Sequence, residues 1–298
     1  MIRLRHFSLL TLFGTALALQ GCMNSDDSPL SDSGAASATE EEAIQVVAFE
    51  EEGDLTDTEV RFFDDEAGFA LAPINTHAWK RQVLDRSRTI DISIEQPGDA
   101  PATADVTITS EVSGLLHLAV CETDELVRLT KEFSDTGVRS LFFERVRPGT
   151  DLRHRGWKLQ AISGMLIESP GTTREIRSVR VQAGDVDETI TNVTDLVRVG
   201  NLLTLPSGSE VVVTVDTGDA TDAVFLHRRH ARHRAELENN GDGTFTGKFN
   251  VANAQRGFRH LAIDVLSDGT LYDDEERYDN VVWGIPFFVR LPSPDAAE

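Results

Sequence analysis

Three groups of side chains in this sequence could do chemistry, each of a different kind. The densest is His227-Arg228-Arg229-His230-Ala231-Arg232-His233-Arg234, three histidines and four arginines in a chain that is otherwise acidic. Imidazoles hold a metal only when they converge and partners fix their tautomers. On an extended strand His227 and His233 share a face while His230 points the other way, so the three meet one ion only if a turn intervenes. Arg228, Arg229, Arg232 and Arg234 instead suit phosphate or carboxylate groups. The expectation is a solvated basic hairpin, with an anion-binding surface for an anionic glycolipid such as lipopolysaccharide, an acidic envelope protein, or the chain's own acidic N-terminal region as the sharper alternative. The second group is acidic: Asp264, Asp268, Asp273, Asp274, Glu275, Glu276 and Asp279 surround Tyr272 and Tyr278. Calcium takes about six to eight oxygens, often from such loops. Asp273, Asp274 and Asp279 are the candidate ligands, but the spacing is not that of an EF-hand, and a polar loop closing a hairpin is expected. The third group is two thiols, Cys22 and Cys121.

Cys22 follows a distinctive start. Met1 to His6 is short and basic, and Phe7 to Leu19 is apolar apart from small or hydroxyl residues. That run falls short of the ~20 residues a membrane helix needs and has the form of a secretory signal. Leu19-Gln20-Gly21-Cys22 resembles the lipobox of bacterial lipoproteins. The resemblance implies that Cys22 carries diacylglycerol, that the signal 1–21 is removed, and that the new amine is acylated. Several acyl chains, each at ~0.8 kcal/mol per buried methylene, make a durable anchor. Met23 stands where an Asp would favour inner-membrane retention, so the resemblance points to the outer membrane, facing either the periplasm or the cell surface. With Cys22 lipidated, Cys121 is the one thiol left and no internal disulfide can form. It ends the apolar run Leu115 to Val120 and reads as a small buried hydrophobe.

The formal charge of −22 argues against nucleic acid and against electrostatic docking on anionic lipid. Residues 25–66 hold fifteen acidic side chains against Arg61, so residues 22–87 are expected to be an acidic, mostly flexible tether. Within it 44–49 and 60–63 suggest short strands, and Thr76 to Arg86 suggests a helix. The remainder has enough apolar residues to fill a core.

From Thr89 onward the pattern is strand after strand. Phe245, Gly247, Phe249 and Val251 alternate with Thr244, Thr246, Lys248 and Asn250, the period of a half-buried strand, after the turn Asn239 to Gly243. Trp157, Leu159 and Ala161 alternate likewise, as do Leu261, Ile263 and Val265. The final run, Val281 to Val289, is apolar on both parities, and Pro286 within it suggests an edge strand or a bulge. Segments 106–109 and 212–215, 135–142 and 242–249, and 159–164 and 263–269 match in order at an offset near ~100 residues, the size of an immunoglobulin sandwich. Asn240 to Phe249 resembles the turn and strand of bacterial immunoglobulin-like domains. The expected fold is therefore all-β, two tandem immunoglobulin-like sandwiches over 88–184 and 190–292. A fold is not an activity. The sequence carries no paired-histidine zinc motif, no serine nucleophile elbow and no closely spaced cysteine pair. No catalytic residue and no cofactor is expected, and the chain reads as a binding or structural module of the cell envelope. The rival is an envelope-polymer hydrolase with a loop-borne site, which would require convergent carboxylates or a Ser/His pair in one cleft.

Overall fold

A computed structural model describes residues 33–51, 77–122, 125–146, 153–228, 231–251 and 257–291. The signal, Cys22 and the segment 60–63 lie outside these residues. The chain is all-β, built on two sheets. It opens with helix α1 (Ser33–Val46), continued by a π-helical turn Val47–Glu51. Three very long strands follow, β1 (His77–Glu95), β2 (Thr103–Glu122) and β3 (Glu125–Arg145). Shorter ones come next: β4 (Trp157–Ile162), β5 (Met165–Glu168), β6 (Ser178–Ala183), β7 (Val186–Ile190), β8 (Val197–Arg198), β9 (Thr204–Pro206) and β10 (Glu210–Asp216). The last are β11 (Ala223–Arg228), β12 (Ala231–Glu236), β13 (Glu238–Asn239), β14 (Thr244–Asn250) and β15 (Gly257–Leu266), then a short helix α2 (Asp268–Tyr272) and β16 (Asn280–Arg290).

The larger sheet runs β1-β2-β3-β5-β16-β15-β11-β12, with β4, β8 and β9 attached beside it, and the smaller runs β13-β14-β10-β6-β7. The two pack face to face. Val179, Val181, Val211, Val213, Val215, Phe245 and Phe249 of the small sheet meet Val224, Leu226, Leu261, Ile263, Val265 and the odd-numbered residues 281–289 of the large one. Alternation in β14 and in 261–265 is thus as the sequence indicates. The division of the strands is not. β5 and β6 fall within the first expected sandwich, yet β6 pairs with β10 and β5 pairs with β16. Two of the three matched pairs occupy unlike places, β2 and β3 in the large sheet against β10 and β14 in the small, while β4 and β15 both belong to the large sheet. Half-buried strands share one two-residue rhythm, and that rhythm is what the matches reported.

Both faces of β15 and β16 are buried because the long strands cover the outer one. The register of β1 on β2 shifts between Val83 and Asp85, opposite Gly114, leaving Leu84 exposed. Such a bulge bends a ribbon and increases its twist. Gly114 is needed there, since a Cβ would run into the Gln82 carbonyl. Beyond the bend, Trp79 stacks edge-on to Phe225 of β11, ring centroids 5.1 Å apart, in a core with Leu116, Leu118, Phe133 and Leu266. Residues 76–86, expected as a helix, are therefore strand from His77 onward. Their alternate burial serves a ribbon. Pro286 sits in a central strand, correcting the edge reading. β16 pairs with β5 at 281–284 and with β9 at 288–290, so among the described residues the proline falls where no strand lies on that side. Phe288 donates its N–H to Leu203 on that side, and Pro286, two residues back, has its absent donor facing the gap.

The tether is also less uniform than its composition suggests. Residues 44–49, expected as strand, close the helix and its π turn. Ile44, Val47 and Ala48 are buried against Ala104, Ile108, Phe143, Trp157 and Leu202. Glu40 takes hydrogen bonds from Arg155 Nε (2.8 Å) and Trp157 Nε1 (2.7 Å), with Arg145 at 3.4 Å. His154 and Arg155 adopt left-handed φ of 49° and 53°, a conformation that costs non-glycine residues energy. The bonds from Arg155 to Glu40 and from Arg145 Nε to the Arg155 carbonyl hold it.

Candidate functional site

The curl of the large sheet brings charged residues from opposite ends of the chain into its interior. Arg81 of β1, buried, donates to both oxygens of Asp264 on β15, at 2.7 and 3.2 Å, and its Nε donates to Tyr278 Oη at 3.0 Å. Tyr278 passes its own proton toward Asp135 of β3 at 3.2 Å. His227 of β11 places Nε2 3.0 Å from Asp264 Oδ2, and Asn280 of β16 donates to Oδ1. Asp264 is completely buried, and a carboxylate there is tolerable because three strands, β1, β11 and β16, bring partners to it. Burial by itself disfavours the Arg81 cation. Asp264, Tyr278 and Asp135 outweigh it, and the guanidinium is held above its ordinary pKa. The arrangement locks these charges together inside the fold.

Arg234 of β12 lies over the Trp79 ring, 3.4 Å from its centroid, and donates to the Trp79 carbonyl. It is therefore engaged within the fold rather than presented to an anion. His227, a candidate metal ligand, is likewise committed to Asp264. The side chains of Arg228, Arg229, His230, Arg232 and His233 lie outside the described residues, as does that of Cys121.

The acidic cluster also separates. Asp279 accepts from Thr172 Oγ1 and Thr173 Oγ1, both at 2.6 Å. Asp273 caps the Glu275 amide at 2.9 Å, and Asp274 is exposed. Where carboxylates do converge, an arginine already stands. Arg174 Nη1 is 2.8 Å from Asp222 and 3.1 Å from Asp219, and its Nε is 3.6 Å from Asp279. Burial pushes the Asp222 carboxyl above its usual pKa, with Arg174 opposing it. Lys131 of β3 donates to the carbonyls of Gly269 and Asp273 at either end of α2. Among the described residues no three His, Cys, Asp or Glu side chains are placed to hold a metal ion.

An open cleft of about 600 Å³ lies between β7, the 192–204 connection and β16, within the size range of small-molecule sites. Its floor is apolar, from Ile162, Val193, Leu203 and Ile285, and it opens at the gap beside Pro286. Asp185, Glu188 and Asp195 stand on its rim, with Arg290 at one end. Nothing in the sequence marked this cleft. Its walls come from segments that are unremarkable singly and adjacent only after both sheets form.

Fold and sites together define an all-β sandwich with a curled outer sheet, a locked interior charge network and an acid-rimmed lateral groove. The chain matches no protein-family model and none of the curated proteins.

Proposed function

We propose that the chain is a lipid-anchored, extracytoplasmic binding module of a bacterial envelope, without catalytic activity, held at the outer membrane through Cys22. The observation that carries this reading is the basic start, the apolar run 7–19 and Leu19-Gln20-Gly21-Cys22 in succession. Three further features support it. The net charge of −22 leaves nucleic acid an unfavourable partner. The interior Arg81–Asp264–His227 network is enclosed and bonded within the protein. The groove beside β7 is open and lined for contact. Labelling with radioactive palmitate tests the anchor. The wild type incorporates label and fractionates with outer membrane, whereas Cys22→Ser incorporates none. Label retained in that variant would overturn the reading.

A further inference from the structure

Among the described residues β7 is the last strand of the small sheet, bonded to β6 on one side only. Ala183 pairs with Val186 across Gly184 and Asp185, and Gly184 has φ of +60°, as a two-residue hairpin with glycine first requires. In such a hairpin the closing residues exchange both hydrogen bonds, and the pattern repeats every second pair. Val186, Glu188 and Ile190 therefore bond to β6, while the N–H and C=O groups of Asp187 and Thr189 point outward, over the cleft. A free edge of this kind is a template for another strand.

The side chains say which strand would fit. Val186, Glu188 and Ile190 share the face turned to the other sheet, where Val186 and Ile190 pack on the core. Glu188 is exposed between them and lines the cleft. A charge on the inward face of an edge strand repels apolar strands, because pairing would bury it unpaired. It accepts a strand that places a cation opposite it. Asp185 and Asp195 on the rim add to the same preference, and Asp187 is already bound by Arg180 at 2.6 and 2.7 Å. A second copy of β7 would set Glu188 among like charges, and residues 25–66 are themselves acidic. Neither part of this chain suits the edge.

We propose that β7 and its groove bind an extended segment of another protein by strand addition, a segment reading apolar, basic, apolar at alternate positions. Its backbone bonds to Asp187 and Thr189, its apolar side chains reach Ile162, Leu203 and Ile285, and its cation meets Glu188. This deepens the reading as a binding module and is independent of the anchor, which palmitate labelling tests separately.

The probe is a fluorescent peptide with valine, lysine and valine at alternate positions and threonines between, added to the full chain in detergent. Saturable binding is expected, weakening with salt and falling about tenfold for Glu188→Lys, an exposed position whose replacement leaves the fold intact. Hydrogen exchange at the Asp187 and Thr189 amides should slow on binding. A peptide methylated on its edge-facing amides should not bind. Equal binding by the methylated peptide would overturn strand addition. Equal binding by a peptide with glutamate for lysine would overturn the charge rule, and no binding by the lysine peptide would overturn the proposal as a whole.

Discussion

Asp264 shows how a residue's chemistry is decided by what folds around it. Its carboxylate is bonded to Arg81, His227 and Asn280 in the interior. Removing one member of a buried charge set leaves the others uncompensated, which typically costs about 3–5 kcal/mol. Asp264→Ala is expected to lower the urea unfolding free energy by that amount. A loss under about 1 kcal/mol would show that water or rearrangement solvates Arg81 and His227 readily. In the sequence Asp264 alternates with Ile263 and Val265 as an outward polar residue would, and Arg81 lies among polar neighbours. The two are 183 residues apart, and a pattern of period two reports the faces of one strand, not what covers them. His227 was conspicuous as a histidine among arginines, yet nothing nearby announced its carboxylate partner. Arg234 was legible as a cation and not as the lid of Trp79.

Strand identity was more accessible than strand partnership. The Asn239–Gly243 turn and the alternation of β14 are written locally, in glycines and in side-chain period, and they stand in the structure as read. β1 misled because Thr76 to Arg86 is mostly polar with scattered apolar residues, a spacing that a one-sided strand with a bulge also satisfies. That bulge directs the whole ribbon. Gly114→Val should force the Gln82 carbonyl aside and straighten the bend, costing about 2–3 kcal/mol and diminishing the near-ultraviolet dichroism from Trp79 against Phe225. Leu84→Gln, at the exposed bulge position, should change neither. If Gly114→Val keeps the native spectrum and stability, the bend does not depend on that glycine.

At the scale of the molecule, the strands exchanged across residues 184–203 bind what the sequence divides. A fragment of residues 77–184 would lack β10 beside β6 and β16 beside β5. It is expected to give a disordered far-ultraviolet spectrum, while the full chain unfolds in a single transition. Independent folding of the fragment would restore two separate domains. The docked helix has another implication, one of reach. Ser33 stands eleven residues beyond Cys22, a stretch of at most ~40 Å when extended, and the helical rise to Glu40 adds only ~10 Å. An anchored molecule is thus confined to a layer of at most about 50 Å between its lipid and Glu40. Within that layer it meets partners at a raised effective concentration. Undocking α1 would lengthen that reach, and the same protein would then patrol a larger volume at a lower local concentration.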